Sequence, residues 1–139
     1  ETGFLRKTRF LNSGNAMQQS PIFEKTETFL DWLLPLTAQY PRQYRFGLAR
    51  RTEDRALDFY EQTVRAAKAD KPGRFLYEAD VQLTQLAFYL RRGRRLSLLT
   101  TKQYRQGSEQ LAELGRLLGG WLRKETGQAS GRAPSGEVT

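Results

Sequence analysis

The chain has 139 residues, a formal net charge of +8 and a pI of about 10.1, and it contains neither histidine nor cysteine. These absences remove the commonest general base at neutral pH, the thiol nucleophile and most metal ligands, so the composition argues against an enzyme, a metal site or a bound cofactor. Of the 23 cations, 17 are arginine, whose planar guanidinium binds phosphate through paired hydrogen bonds. We therefore expect a polyanionic partner, with nucleic acid ahead of an anionic membrane surface.

The two ends of the chain differ in composition from its middle. Residues 1–19 are polar and basic without a hydrophobic period, and residues 126–139 are small and polar. We expect both to be disordered, with a folded domain at 20–125 between them. Met17 is the only methionine, so residues 1–16 are expected to be non-native or upstream sequence. Neither a membrane-spanning stretch nor a secretory signal is visible, which favours a cytoplasmic protein outside the membrane.

Four segments show the apolar spacing of amphipathic helices. The first begins after Ser20, and Pro35 should kink it or end its regular hydrogen bonding. The second is predicted from about Arg42 to Ala69. The third runs from about Arg74 to Arg92, and Gly93 is its expected left-handed C-terminal cap.

The fourth segment begins with Thr100 and Gln103, which have the spacing of a capping box. The third segment has the clearest core stripe, which comprises Leu76, Ala79, Leu83, Leu86 and Leu90. No segment alternates as a strand would. Four helices with short connectors predict an all-α protein with the architecture of an antiparallel up-down four-helix bundle.

Two clusters of arginine carry the functional signal. One or two cations would complement the dipole at the end of the third helix, whereas four repel one another unless phosphates neutralise them. The cluster in the second helix lies among acidic residues, so ordinary ion pairs are the alternative there. The predicted nucleic-acid-binding residues are Arg45, Arg50, Arg51 and Arg55 in the second helix, and Arg91, Arg92, Arg94 and Arg95 at the end of the third.

A glycine-rich stretch interrupts the fourth helix. Gly115, Gly119 and Gly120 each weaken a helix by roughly 1 kcal/mol relative to alanine, which indicates that another element approaches closely. Gly115 and Gly119 are four residues apart and share one face. Together with Trp121 they are predicted to form a tight helix crossing or a subunit interface, since large aromatic side chains on helices usually pack in a core or an interface.

Several motifs point to a known family. They are Phe29–Pro35 (FLDWLLP), Tyr40–Phe46 (YPRQYRF), Leu83–Arg91, Leu98–Tyr104 (LLTTKQY) and Gly115–Leu122 (GRLLGGWL), of which the last is the most specific. In these motifs the chain resembles the accessory variability determinant (Avd) proteins of diversity-generating retroelements. Avd proteins belong to a four-helix-bundle group that includes proteins encoded in 23S ribosomal RNA intervening sequences. The resemblance covers roughly residues 21–124.

The resemblance implies a function that the composition alone does not. Avd proteins form a homopentameric barrel of four-helix bundles, bind RNA and cDNA or other DNA through a basic surface, and associate with the reverse transcriptase of the retroelement. They support mutagenic cDNA synthesis from template RNA and are not enzymes themselves. Family members often carry arginine at the position of Ala87, so this chain keeps only Arg91 of an Arg-x-x-x-Arg run. The alternative is a protein-interaction scaffold of the same group that docks an acidic protein rather than RNA.

Overall fold

The computed structural model describes residues 20–130, with side chains as far as residue 127. In that range it is entirely helical, as predicted, with no strand. Its four α-helices are α1 (Pro21–Ala38), α2 (Arg50–Lys68), α3 (Gly73–Arg95) and α4 (Thr101–Ser130). Helix α4 thus continues into the first residues of the expected C-terminal tail. The expectations for residues 1–19 and 131–139 lie outside the described residues.

The helices run alternately up and down. At one end of the bundle, Phe23 of α1 packs edge-on against Tyr60 of α2 and Trp121 of α4, with ring centroids 6.2 and 6.3 Å apart. Leu83, near the middle of α3, lies against Gly115, near the middle of α4. Each helix packs against its two neighbours, and the hairpin of α2 and α3 is the most extensive pair. No helix within residues 20–130 has the length and apolar character needed to cross a bilayer.

The core contains threonines as well as the predicted leucine stripe. All five stripe residues of α3 are buried. Four threonines are buried too, and their hydroxyls donate to backbone carbonyls three or four residues earlier, which satisfies a polar group that would be costly to bury unpaired: Thr26, Thr37, Thr52 and Thr63. Thr37 also donates to Glu53 Oε2 at 2.6 Å and thereby joins α1 to α2.

Two helix termini follow the sequence closely and one does not. The capping box is confirmed, because the backbone N–H of Gln103 donates to Thr100 Oγ1 at 3.0 Å and the N–H of Thr100 donates to Gln103 Oε1 at 2.9 Å. Helix α1 begins at Pro21, as expected. Pro35 does not end α1, which continues to Ala38, because one missing N–H near a helix C-terminus removes a single backbone hydrogen bond.

The entry to α2 departs from the prediction of a regular helix from Arg42. A 3-10 turn (Arg42–Tyr44) and a π-helical turn (Arg45–Ala49) come first, and α2 begins only at Arg50. A π-turn holds more residues per turn than an α-helix, so it changes which side chains face inward. Here residues 45–47 are exposed while Ala49 is buried in the core.

The expectation that Gly93 caps α3 is wrong. Helix α3 continues to Arg95, and Ser97 takes the left-handed conformation with φ of 63°. The N–H of Ser97 donates to the carbonyl of Arg94 and that of Leu98 to the carbonyl of Gly93, which is the pattern of a Schellman motif. Gly93 is needed for a different reason. A Cβ there would lie 2.8 Å from the hydroxyl of Tyr40, so glycine permits the close packing of Tyr40 on α3.

The hydroxyl of Tyr40 gives a pH-dependent prediction. It is buried without a hydrogen-bond partner among the described residues, and this burial raises the pKa of Tyr40 to about 12. In the unfolded chain the same phenol ionises near pH 10, so its contribution to stability is complete below pH 10 and is lost as the pH rises to 12. Denaturant titrations between pH 8 and 12 should show the wild-type protein losing stability relative to Tyr40→Phe. Parallel pH profiles would contradict this.

Candidate nucleic-acid interface

The antiparallel topology brings the two arginine clusters to the same end of the bundle. Segment 39–58, where α2 begins, meets segment 88–107, where α3 ends and α4 begins, and we call these two segments the basic end. Tyr40 packs on Gly93 across the two segments. The basic end carries 11 cations and three acidic residues, whereas the rest of residues 20–130 carries eight cations and 10 acidic residues. The positive charge of the domain is therefore concentrated at one end.

The four arginines at the end of α3 divide into two pairs. Arg91 and Arg95 are exposed. Arg94 donates from Nη2 to Thr101 Oγ1 at 2.7 Å and so ties the end of α3 to the start of α4. Arg92 is half-buried, and its Nε is enclosed without a partner among the described residues. Arg91 and Arg95 are therefore the members of this cluster most open to a ligand.

The arginines at the start of α2 also divide. Arg45, Arg50 and Arg51 are exposed, and within residues 20–127 they form no hydrogen bond or ion pair. Arg55 instead pairs with Asp58 at 2.8 Å and donates to Gln85 Oε1 of α3 at 3.5 Å. The ion-pair alternative thus holds for Arg55. Arg45, Arg50 and Arg51 have all of their guanidinium donors available to a ligand.

Glu53 lies in the same turn as Arg50 and Arg51 but forms an ion pair with neither. Its carboxylate accepts the hydroxyl of the buried Thr37 and is half-buried beside α1. Neither Arg50 nor Arg51 has a carboxylate partner within residues 20–127.

Sequence reasoning missed four residues at this end. Lys102 and Arg105, in the first turns of α4, are exposed. A signal for them existed, because residues 81–108 contain six cations and no acidic residue. Phe46 and Phe88 are 78% and 43% exposed. For Phe88 the signal was its position two residues from both Leu86 and Leu90, which places it opposite the predicted stripe of α3. No comparable signal existed for Phe46.

Contacts within the described residues do not explain Gly115 and Gly119 of α4. A Cβ on Gly115 would lie 3.7 Å from Leu83, which is an ordinary van der Waals distance, so the packing of α3 does not require glycine there. A Cβ on Gly119 would meet only Arg123 of its own helix among the described residues. Trp121 is half-buried against Phe23. A tight crossing or subunit contact at Gly115, Gly119 and Trp121 remains a prediction.

The chemistry available at the basic end is that of anion binding. Its exposed charged groups are guanidinium and ammonium donors, which make charge-assisted hydrogen bonds to phosphate or carboxylate oxygens. Within the described part of the chain, no group of three or more acidic residues is close enough to hold a metal ion. The basic end is therefore suited to hold a polyanion in place.

The fold and this surface define a four-helix-bundle protein with one strongly basic end. The chain belongs to the bAvd-like family, whose family model matches residues 21–125 and so includes the first three helices and most of α4. This match confirms the resemblance to Avd proteins, a family of accessory proteins that is not known to be catalytic. No curated protein matches the chain.

Proposed function

We propose that this protein is a non-catalytic, nucleic-acid-binding accessory subunit of the reverse transcriptase of a diversity-generating retroelement. In this role it works in the cytoplasm and supports mutagenic cDNA synthesis by holding template RNA and cDNA at its basic end. The observation that carries the proposal is the convergence of 11 cations on one end of the bundle, several of them without an internal partner. Family membership supplies the retroelement context.

The physical argument rests on like-charge repulsion. Arg45, Arg50, Arg51, Arg91 and Arg95 all face solvent at the same end. Like charges held close together destabilise the folded state, and only Arg55 among the candidate arginines has a carboxylate partner among the described residues. A phosphate chain relieves the repulsion and releases its condensed counterions on binding.

Assembly would multiply this effect. In a homopentamer, five basic ends would recur around one ring and act on the same polyanion, which raises the effective concentration of each contact. The solution mass tests the subunit number independently of binding. Light scattering or native mass spectrometry should give five copies of the 16.0 kDa chain. A monomer mass would contradict the pentamer without affecting the binding proposal.

Binding should depend steeply on salt. We expect fluorescence anisotropy with labelled single-stranded RNA to show log K falling with log salt by about 0.7 per phosphate contacted. If six or more phosphates are contacted, the affinity should fall by roughly 300-fold or more between about 50 and 200 mM salt. Absence of binding at low salt, or a flat response, would overturn the proposed function.

Polyglutamate distinguishes the scaffold alternative. An acidic protein partner presents carboxylates rather than phosphates, so the scaffold alternative requires that polyglutamate of matched charge binds at least as well as RNA. We expect RNA to bind more tightly, because the guanidinium fork also pairs with phosphate and stacks on bases. Tighter binding of polyglutamate would favour the scaffold.

A further inference from the structure

An exposed aromatic ring lies inside the basic end. Phe88 is on the outer face of α3, on the side opposite the buried Leu86 and Leu90, and 43% of it is exposed. Its only ring contact among the described residues is with the neighbouring Tyr89, at a centroid distance of 5.4 Å. The core therefore leaves much of this ring in solvent.

Two guanidinium groups lie over the same ring. The Cζ atoms of Arg91 and Arg92 are 5.8 and 5.5 Å from the ring centroid of Phe88. One such contact stabilises an exposed site by about 0.5–1 kcal/mol and would account for a single cation beside a phenylalanine. Here two cations lie near one ring, in a surface that already carries many positive charges. A flat apolar ring and phosphate-binding groups are therefore adjacent.

This combination is typical of surfaces that bind single-stranded nucleic acid. Such surfaces pair cations that follow the backbone with aromatic rings on which the bases stack, and each stacked base contributes about 1–3 kcal/mol. A duplex keeps its bases inside the helix, so its outside offers phosphates to the arginines and nothing to the ring. Phe46, 78% exposed beside Arg45, adds a second aromatic residue at the same end.

We propose that the basic end selects single-stranded over double-stranded nucleic acid, because a base stacks on Phe88 while the exposed Arg91 holds the adjacent phosphate. This inference rests on the proposed function. It adds that the ligand is single-stranded and that Phe88 distinguishes it from a duplex. Charge alone predicts the opposite preference, since a duplex has the higher charge density and the steeper salt dependence.

The experiment compares a labelled 20-nucleotide RNA with the 20-base-pair duplex of the same sequence, at one salt concentration and over a salt series. The wild-type protein should bind the single strand more tightly. Phe88→Ala should weaken single-strand binding by about 5- to 100-fold, leave duplex binding within about twofold, and leave the salt slope unchanged, because the ring carries no charge.

Two further variants make the result specific. Phe88→Trp should retain single-strand binding, and its indole fluorescence should be quenched by RNA beyond any change seen in the wild-type protein. Tyr77→Ala is the matched control, since Tyr77 lies three turns earlier on α3, is 62% exposed and is outside the basic end. Tyr77→Ala should leave both affinities unchanged.

These measurements give different results if stacking on Phe88 is wrong and if the proposed function is wrong. If Phe88→Ala binds both RNAs as the wild type does, with the same salt slope, stacking is refuted and the proposed function stands. Equal losses for single strand and duplex, or a changed solution mass of Phe88→Ala, would show that Phe88 acts in the fold or a subunit contact and would also refute stacking. If the wild-type protein binds neither RNA, the proposed function itself fails.

Discussion

A quadruple variant of the basic end is expected to bind single-stranded RNA about 100- to 1,000-fold more weakly at 0.1 M salt: Arg45→Gln, Arg50→Gln, Arg51→Gln and Arg95→Gln. These four arginines are exposed and form no hydrogen bond or ion pair within residues 20–127. Each phosphate contact contributes about 0.7 to the salt slope, so four lost contacts should also lower that slope by about 3. Anisotropy titrations over a salt series measure both quantities.

These four substitutions should change the surface charge without changing the fold. Arg94 and Arg55 are left in place because their side chains join neighbouring helices. Arg91 and Arg92 are left in place because they contact Phe88, so stacking and charge are tested separately. The helical circular dichroism and the Tm of the variant should match those of the wild type, since exposed surface substitutions usually change stability by less than about 0.5 kcal/mol.

A second quadruple variant removes the same charge from the opposite end of the bundle. It consists of Arg65→Gln, Lys71→Gln, Arg123→Gln and Lys124→Gln, all at exposed positions. If the position of the charge matters, this variant should lose far less affinity than the basic-end variant. Its smaller loss would come from the lower net charge alone. Equal losses in the two variants would show that binding depends on total charge. They would refute the proposal that nucleic acid binds at the basic end.

Gly107→Ala is expected to destabilise the bundle although it adds a single methyl group. Gly107 is buried in α4, and a Cβ there would lie 2.6 Å from Trp32 Cη2 and 3.0 Å from Leu90 Cδ1. Trp32 is held in place by Phe29, at a ring-centroid distance of 5.7 Å, and by a 3.3 Å hydrogen bond from its Nε1 to Gln106 Oε1. Moving the indole away from the added Cβ would therefore disturb the contact with Phe29 and the hydrogen bond to Gln106.

Two opposing terms set the size of this effect. Alanine gains about 1 kcal/mol over glycine in a helix interior, whereas overpacking a core costs typically 1–3 kcal/mol and occasionally more. A contact as short as 2.6 Å belongs at the upper end, so we expect a net loss of about 1–2 kcal/mol and a fall in Tm of roughly 3–10 °C. Thermal unfolding at fixed protein concentration measures it, since the Tm of any protein that assembles depends on concentration.

Two companion variants identify the cause. Gly73→Ala, at the first residue of α3, has no atom within 4 Å of the added Cβ and should be neutral or slightly stabilising. Trp32→Leu removes the ring that the Cβ would meet, so Gly107→Ala should cost less in that background than in the wild type. If the cost is the same in both backgrounds, the contact with Trp32 does not explain the glycine.

Local sequence signals were reliable where one interaction decides the outcome. The capping box of Thr100 and Gln103 needs only residues three apart, and both of its hydrogen bonds are present. The stripe of α3 needs only a constant helical period, and all five of its residues are buried. Gly93 shows the limit of such signals, because a glycine near a helix end serves equally for a left-handed cap and for close packing. The packing of Tyr40 decided between the two.

The sequence by itself determined the helical class, the approximate extent of the helices, the family and the two arginine clusters, because periodicity, composition and short motifs are properties of neighbouring residues. Only the tertiary structure decided that the clusters share one end, that Arg55 and Arg94 are engaged in side-chain hydrogen bonds while Arg45 and Arg95 are not, and that Tyr40 packs on Gly93. These outcomes depend on which helices lie side by side and at what height, and residues far apart in the chain set that arrangement by packing together.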